Sequence, residues 1–579
     1  MTRTGIKKCV IAYMATFAIM LLFGMTVKNP LTVVIFGVCV WFIGYTHFPE
    51  SRLAAAVLLL ADAGISAAVS VLTYKKASEQ FTSGIFKALT LIILFAGAAA
   101  FLYILFGVLY GLYKNRSFSA NGKEKASERA YYFTLPESLS GKAVFFLSAG
   151  IIFVCWLPYF LYEYPGIMTA DSIVQYEQVI GAIPYSNHHP VAHTLCISLF
   201  YHIGKMFTSY PNAAISFYTV AQMVIMALCC GKVTATLHKI GKGAAAAIIF
   251  YALVPFNAVF AVTIWKDVPF AGIVMLFVCH VYSVVTGERG RLSYVKFVIL
   301  GILLCLFRTN GFIAFCLFMP FALLLMKNVW KQLLCSGVLV IGVVMLIKGP
   351  VMSSFNVAQA DFTESLSVPI QQVARVLVND RELTEKEKAQ IAAVIDTTYI
   401  HELYAPDFAD NMKELVRAGH PEVIENNKGE YLGLWLSLLT KYLGDYVNAW
   451  FDLVGGYIYP DVSLRVGDID GIMSNDYGLI PTPRIGGKAI VKGKEILIKL
   501  GSFLPLYGML WSIGAYTWAA VFILIFLLIN KKNKLTLAVL MPLAIVATLL
   551  IAAPVLDFRY GYALVMSMPV IVSCCFYSE

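Results

Sequence analysis

Repeated apolar runs of about 18 residues or more are the feature that most constrains how this chain can fold. A helix of that length crosses a hydrocarbon core of ~30 Å. In lipid such a run must be helical, because each backbone N–H and C=O needs a partner within the segment. Only 13% of the residues are charged, against about 25% in soluble proteins. The sequence therefore predicts an all-α polytopic membrane protein with roughly a dozen or more spanning helices.

The apolar runs and the polar stretches between them divide the chain into five segments. One apolar run, at 244–264, is interrupted by Pro255, which predicts two half-helices or a re-entrant pair. In chain order the segments are a four-helix membrane segment (1–113), a basic loop (114–142), a membrane core (143–350) with a polar loop (164–190), a polar and mainly helical domain (351–500) and three closing spans (501–579).

The distribution of Lys and Arg predicts an orientation in the membrane. Basic residues concentrate in short loops such as 114–142, 327–331 and 530–534, which the positive-inside rule assigns to the cytoplasm. The N- and C-termini are then cytoplasmic, and the 351–500 domain and the loop at 164–190 are extracytoplasmic. The same bias accounts for the net charge of +10, so nucleic acid is not an expected partner.

Polar side chains gather just beyond the span that precedes the loop at 164–190. Asp171 could deprotonate an acceptor hydroxyl as a general base or bind a metal, or it could simply cap a helix at 172–180. His189 and His193 are four residues apart, a spacing at which two imidazoles can share a zinc ion. Hydrogen-bonded histidines that orient the loop are the alternative.

Three further polar motifs fall on the same predicted face. An arginine in an apolar stretch needs a partner or a polar cavity, and a guanidinium group suits phosphate. Carboxylates and arginines at one interface fit chemistry with a phosphate leaving group. The alternatives are interfacial anchoring by Trp265 and Lys266 and an internal Asp557–Arg559 ion pair. The motifs are Trp265-Lys266-Asp267, Arg308-Thr309-Asn310 and Asp557-Phe558-Arg559-Tyr560.

These motifs resemble those of the GT-C superfamily of integral-membrane glycosyltransferases. Asp171 matches the acidic residue of the first large outer loop in that pattern, and Asp267 takes the second acidic place. The segments with this resemblance are HHPVAHTLCISLFYHIGKMF, VPFNAVFAVTIWKDVPFAGIVMLF and DFRY. From about residue 140 onward the chain resembles more closely a family of bacterial multi-spanning proteins assigned to that superfamily. The segments that carry this closer resemblance are ESLSVPIQQVARV, YAPDFADNMK and GGYIYPD.

The resemblance implies a GT-C-like helical core in a bacterial plasma membrane and a polyprenyl-phosphate-linked sugar donor. The acceptor would be a glycan, a lipid or a protein. Asp171 would be the general base or a metal ligand, with Asp267 as a second catalytic carboxylate. A divalent metal ion held by Asp171 and His189 is a candidate cofactor. The expected substrate-binding residues are His188, His189, Lys266, Arg308, Asn310, Gln371, Gln372, Arg559 and Tyr560.

Two other functions remain open from the sequence. A lipid or polysaccharide transporter or flippase would need charged residues in mid-span, and Asp62 is the clear example. A non-catalytic scaffold or sensor would use the 351–500 domain instead.

Overall fold

The computed structural model describes residues 3–22, 30–78, 83–121, 134–241, 243–287, 291–460, 470–503 and 509–577. These residues contain α-helices, short 3₁₀ and π turns and no β-strand, so the all-α prediction is confirmed. Within the described ranges seven helices are long and apolar enough to cross a membrane, or eight with one bent pair. That number is below the predicted dozen, because several apolar helices, such as Leu31–Ile43 and Thr309–Leu325, are shorter than a full span.

The described chain divides into two compact units. The first comprises residues up to 132 together with 525–532. Its fourth helix packs against the first and third helices. Asp62 is buried in this unit, where its carboxylate accepts a hydrogen bond of 3.1 Å from the Ser66 hydroxyl. The helices are α1 (Arg3–Leu22), α2 (Leu31–Ile43), α3 (Arg52–Ser78) and α4 (Gly84–Asn121).

The second unit, 133–524 with 533–577, contains the membrane core and the polar domain. Its first half is built on the helix Pro211–Ile240, which packs against the helices Gly141–Tyr162, Val191–Lys205 and Asp267–Val285. The helices up to the polar domain are α5 (Gly141–Tyr162), α6 (Ala170–Val179), α7 (Val191–Lys205), α8 (Pro211–Ile240), α9 (Ala244–Leu253), α10 (Pro255–Val262), α11 (Asp267–Val285), α12 (Arg291–Phe307), α13 (Thr309–Leu325) and α14 (Trp330–Leu346).

The break predicted at Pro255 is confirmed, with α9 and α10 bent by 60° relative to each other. Proline has no backbone N–H and begins a helix readily, so one helix ends and the next starts there. The Asn257 amide donates to the Phe250 carbonyl oxygen at 2.9 Å, which satisfies a helix-end acceptor. The Tyr562 hydroxyl donates to the Asn257 side-chain oxygen at 3.0 Å. The start of α10 is therefore fixed against the last helix of the chain.

Residues 352–460, here called the polar domain, form a compact set of short helices. Thr384 and Glu387 make the reciprocal capping box that the sequence pattern indicates, and Pro369 lies in the first turn of the helix Ser367–Val378. Ion pairs such as Lys441–Glu387, in which the Glu387 side chain is buried, tie the helices together. The helices are α15 (Met352–Ser354), α16 (Ser367–Val378), α17 (Glu385–Ala392), α18 (Ile400–Leu403), α19 (Asp410–Ala418), α20 (Pro421–Asn426), α21 (Lys428–Lys441) and α22 (Leu443–Val454).

The predicted domain at 351–500 differs from the structure in its second part. Residues 470–487 are not helical, because their backbone groups pair with the loop that follows α5. Met473 N donates to Met168 O and Thr482 N donates to Tyr164 O, both at 2.8 Å. The remaining helices are α23 (Lys488–Phe503), α24 (Ile513–Ile529), α25 (Thr536–Ala552) and α26 (Phe558–Ser573).

Candidate functional site

A short parallel backbone pairing brings the loop after α5 alongside the segment before α11. Ile167 N donates to Val262 O at 2.9 Å, and Ile264 N donates to Ile167 O at 3.0 Å. Ser172 in α6 adds a hydrogen bond of 2.7 Å from its hydroxyl to Ile264 O. This pairing places the first turn of α6 next to the start of α11, and so brings two distant sequence motifs together.

Gly166 makes this pairing sterically possible. Its φ of +139° is rarely adopted by residues with side chains. A Cβ atom at this position would lie 2.6 Å from the Thr219 hydroxyl oxygen. That hydroxyl donates to Pro165 O at 2.7 Å and holds the loop against α8. The loop conformation therefore depends on a glycine here.

Asp171 lies at the centre of a cluster of charged side chains. Its Oδ2 atom accepts from Lys266 Nζ and from Arg559 Nη1, both at 3.1 Å. Lys266 Nζ also donates to His189 Nδ1 at 2.9 Å. Asp171 is in the first turn of α6 and Thr169 is the N-cap residue, so the helix-cap interpretation of Asp171 is wrong.

The neighbouring cations decide the protonation state of Asp171. Burial raises the pKa of this carboxyl, but the charges of Lys266 and Arg559 outweigh burial and hold the pKa well below its usual range. Burial and the charge of Lys266 together lower the pKa of His189 to about 3, while Asp171 opposes the shift. At neutral pH the cluster thus consists of an ionised Asp171 carboxylate, a neutral His189 imidazole and two cations.

A second ion pair, Asp267 with Arg308, lies beside the first. Asp267 Oδ1 accepts from Arg308 Nη1, and the other carboxylate oxygen is buried without a hydrogen-bond partner among the described residues. The Tyr560 ring links the two pairs, with the Arg308 guanidinium carbon 4.8 Å and the Arg559 guanidinium carbon 4.9 Å from its centroid. The structure therefore brings the two acids and the two arginines into one connected cluster.

Accessibility distinguishes the two predicted catalytic acids. The Asp171 side chain is 28% exposed and the Asp267 side chain is 1% exposed. A substrate can contact Asp171 in this arrangement, whereas Asp267 contacts Arg308. Asp267 is therefore suited to hold Arg308 in place and not to contact a reacting group directly.

Trp265 and Asp557 position the Arg559 side chain. The guanidinium carbon lies 4.7 Å from the Trp265 ring centroid, and Arg559 Nε lies 2.9 Å from Asp557 Oδ2. The Asp557–Arg559 ion pair that the sequence allowed is therefore present, together with the contact to Asp171. Trp265 is buried and its indole N–H donates to Thr169 Oγ1 at 2.7 Å, so interfacial anchoring by Trp265 is wrong.

The predicted metal ligands, Asp171 and His189, both contact the Lys266 ammonium group. That group lies between the carboxylate and the imidazole, where a bridging cation would bind. No group of three or more His, Cys, Asp or Glu side chains with metal-binding geometry occurs among the described residues. The residues present do not fit a divalent ion in this arrangement.

The other two histidines have different surroundings. His193 is fully buried, with Nδ1 2.8 Å from the Gln175 side-chain oxygen and Nε2 2.6 Å from the Tyr218 hydroxyl. It therefore orients the loop, and a zinc site shared by His189 and His193 is contradicted. His188 faces the polar domain, with Nδ1 3.8 Å from Glu364 Oε1, and its ring packs edge-on against the His189 ring with the centroids 4.7 Å apart.

Three predicted substrate-binding amides differ in their placement. Both polar atoms of the Asn310 side chain are buried and lack partners among the described residues, two positions after Arg308. Gln371 donates to Ala405 O, and Gln372 donates to Tyr446 O at 3.2 Å. Gln371 and Gln372 are buried inside the polar domain. Their expected role in lining the acceptor site is not consistent with this placement, because their amides support the backbone there.

Sequence reasoning missed the residues that hold the motifs in place. Thr169 is one of them, because its hydroxyl oxygen accepts from the Trp265 indole N–H. Tyr457 is another, because its hydroxyl donates to Val555 O at 2.8 Å and accepts from Asp557 N at 3.1 Å. A tyrosine in the segment GGYIYPD was visible in the sequence. Its connection to the DFRY motif was not, because the two segments are about a hundred residues apart.

Comparison with known proteins places the chain in one family. No curated protein and no solved structure matches it. Residues 181–480, slightly more than half of the chain, match the sequence profile described as "Family of unknown function (DUF6020)". The matched region contains Lys266 and Arg308, whereas Asp171 and Arg559 lie outside it. By this match the chain belongs to the DUF6020 family.

Proposed function

We propose that this protein transfers a sugar from a polyprenyl-phosphate-linked donor to an acceptor hydroxyl on the extracytoplasmic face of a bacterial plasma membrane. The observation that carries the proposal is the partly exposed Asp171 carboxylate, shared by Lys266 and Arg559 at 3.1 Å each. It supplies a base and phosphate-binding cations at one place, next to helices that can cross a membrane. The resemblance to GT-C glycosyltransferases supports the same conclusion.

The reaction is one group transfer at the anomeric carbon. The acceptor oxygen forms a bond to that carbon, and the bond from the carbon to the phosphate oxygen breaks. The acceptor proton passes to the Asp171 carboxylate. The leaving polyprenyl phosphate gains a negative charge, which Arg559 and Lys266 stabilise because their donors already lie in place.

Donor binding changes the basicity of Asp171 in this proposal. In the free protein the two cations hold its pKa low, and a carboxylate with a low pKa is a weak base. A donor phosphate competes for Lys266 and Arg559 and withdraws part of their charge from Asp171. The pKa of Asp171 then rises towards its usual range, so that the base becomes effective only when donor is bound.

Asp267 acts as a positioning residue in this scheme. It fixes Arg308 against the Tyr560 ring, and Tyr560 in turn contacts Arg559. Arg308 thereby adds a third cation on the phosphate side. The unpaired Asn310 amide lies at the start of α13, two positions after Arg308. It is suited to bind an oxygen of the donor.

The test is transfer by the purified chain in nanodiscs, with a panel of radiolabelled polyprenyl-phosphate hexoses and an extract of cell-envelope glycans and lipids as acceptor. We expect Asp171→Asn to reduce transfer by about 10² to 10⁴-fold, because the asparagine amide cannot accept the proton. The matched control is Glu177→Gln in the same helix, whose carboxylate binds the Tyr477 hydroxyl outside the cluster. Undiminished transfer by a folded Asp171→Asn protein would contradict the base assignment.

A second test is independent of the sugar. Polyprenyl monophosphate, the common product, should protect the purified chain against thermal unfolding, whereas the uncharged polyprenol should not. We expect Arg559→Gln to weaken the monophosphate affinity about tenfold or more, because a charge-assisted hydrogen bond to phosphate is lost. Equal protection by phosphate and alcohol would remove the phosphate site from the proposal.

The transporter alternative leads to a different result in the same nanodiscs and in vesicles. The mid-span residue Asp62, on which this alternative rests in the sequence, is buried in the first unit and accepts a hydrogen bond from Ser66. Movement of a labelled polyprenyl-phosphate hexose across vesicles without any covalent change would favour transport. Formation of a glycosylated acceptor would favour transfer.

A further inference from the structure

The polar domain encloses a cavity of about 470 Å³ that the charged cluster does not use. Its walls come from the turn at Phe362–Leu366 and from α16 to α21. The lining is almost entirely aliphatic and aromatic, including Ile370, Val373, Met412 and Val416. A cavity of this kind suits an apolar ligand and not a sugar, which would need convergent polar groups.

The few polar atoms in the wall are turned to other partners. The Tyr431 hydroxyl donates to Gln390 O at 2.9 Å, and the Trp435 indole N–H donates to the Gln372 side-chain oxygen at 2.9 Å. Both rings therefore present only their apolar parts to the cavity. Because these polar atoms are already hydrogen-bonded within the wall, the surface that faces the cavity favours hydrocarbon.

The volume indicates the size of the apolar group. A protein cavity of about 150 Å³ accommodates benzene, with six carbon atoms. By that ratio the cavity of about 470 Å³ accommodates roughly 18 carbon atoms. One acyl chain or a short isoprenoid segment has this size, whereas two chains of a lipid do not fit together.

One cation lies where the cavity meets solvent. Among its lining residues only Lys428 and Leu432 are exposed, and both are in the first half of α21. Lys428 Nζ lies 4.6 Å from the centroid of the Phe362 ring in the cavity wall. The exposed leucines Leu432 and Leu436 follow on the same face of α21, so an apolar strip leads away from the entrance.

We infer that the polar domain binds one hydrocarbon chain of an anionic lipid, with the chain in the cavity and the anionic group next to Lys428. Charge complementarity at the entrance selects an anionic amphiphile over a neutral one, and the apolar lining selects a chain over a free phosphate. This inference does not depend on the proposed transferase activity. The cavity and the Asp171 cluster share no residue.

The experiment uses the full chain in phosphatidylcholine nanodiscs that contain phosphatidylglycerol with a diazirine at the end of one acyl chain. After irradiation, mass spectrometry maps the labelled residues. We expect labels at Ile370, Val373 or Met412, in addition to labels on the membrane helices. Labelling confined to the membrane helices would overturn the inference. The parent chain alone is sufficient for this test.

Two substitutions sharpen the test. Val373→Phe fills the cavity, and we expect labelling of Met412 to fall about fivefold or more because the added volume opposes the chain. The matched control is Val447→Phe on an exposed surface of the same domain, which should leave labelling unchanged. Labelling of Met412 that is insensitive to Val373→Phe would contradict binding in the cavity.

The charged group is tested separately with Lys428→Gln, an exposed position that should not affect folding. The ratio of labelling by diazirine phosphatidylglycerol to that by the matching phosphatidylcholine should fall about two- to fivefold, as expected for a partly solvated ion pair. Lys386→Gln, in an exposed part of α17, is the control. An unchanged ratio in Lys428→Gln would overturn the anionic selectivity.

Discussion

At the scale of single residues, the Lys266 ammonium group determines the properties of both of its neighbours. It stabilises the charge on Asp171 and disfavours a charge on His189, since it contacts both at about hydrogen-bond distance. Burial and the charge of Lys266 together keep His189 neutral across the physiological pH range. His189 therefore accepts a hydrogen bond from Lys266 and keeps the ammonium group directed towards Asp171.

This arrangement predicts a pH dependence of stability. The pKa of His189 is about 3 in the folded protein, against about 6.5 in an unfolded chain. The unfolded chain therefore binds a proton first as the pH falls, and the free energy of unfolding decreases below about pH 6.5. Between pH 6.5 and pH 5 the loss from this group is up to about 2 kcal/mol.

The measurement is the unfolding midpoint in detergent at pH 7 and pH 5 for His189→Asn and for the parent chain. We expect a smaller difference between the two pH values in His189→Asn, because the group responsible is gone. His202→Asn, at an exposed position of α7 outside the cluster, should retain the parental difference. Equal pH dependence in all three proteins would contradict the buried, neutral state of His189.

At the scale of elements, the loop between α5 and α6 carries a second prediction. Gly166→Ala should destabilise the protein by about 1–3 kcal/mol and reduce transfer, because the new Cβ atom meets the Thr219 hydroxyl at a φ of +139°. Displacement of this loop moves Asp171 away from Lys266. Thermal unfolding and the transfer assay measure the two effects.

The control is Gly150→Ala within α5, where a Cβ atom meets no atom within 4 Å. Alanine favours a helix over glycine, so stability and transfer should not decrease. A Gly166→Ala protein as active and stable as Gly150→Ala would show that the backbone pairing of Ile167 with Ile264 does not position the site.

Local sequence signals predicted the elements well and their mutual contacts poorly. Pro255 and the Thr384–Glu387 pair act within a few residues, so the helix break and the capping box could be read from the sequence. The acids and arginines of the site were also recognisable as polar groups in apolar surroundings. The Asp171–Arg559 contact joins residues 388 positions apart, and nothing local specifies such a pair.

Ambiguous residues were misjudged for the same reason. A tryptophan beside an apolar run fits a membrane interface and a buried contact equally well, and only the fold shows Trp265 beneath a guanidinium group. Gln371 and Gln372 are similar, since a polar residue on an amphipathic helix can face solvent or satisfy buried backbone groups. Tertiary contacts decide between these possibilities.

At the scale of the whole molecule, the candidate site combines segments from inside and outside the family match. The match at 181–480 contains Lys266, Asp267 and Arg308. Asp171 comes from a helix before it and Arg559 from the last helix of the chain. The complete cluster therefore requires the full second unit, and the matched region alone lacks both the exposed carboxylate and one of the arginines.

The positive-inside rule makes a prediction about how the molecule lies in the membrane. The basic loop at 530–534 should be cytoplasmic, and the polar domain should be on the opposite face. A cysteine introduced at the exposed position Thr397, in the polar domain, should react in intact cells with a membrane-impermeant maleimide. A cysteine at the exposed position Lys534 should react only after the membrane is made permeable.

The parent chain, with its twelve cysteines, provides the background labelling for both variants. Thr397→Cys labelling above that background in intact cells, with Lys534→Cys at background, is the expected result. The opposite pattern would put the polar domain in the cytoplasm. The loop carrying Asn187 pairs directly with Ala358 near the start of that domain. The opposite labelling pattern would therefore also put the Asp171 cluster on the cytoplasmic face, where an extracytoplasmic acceptor could not reach the cluster.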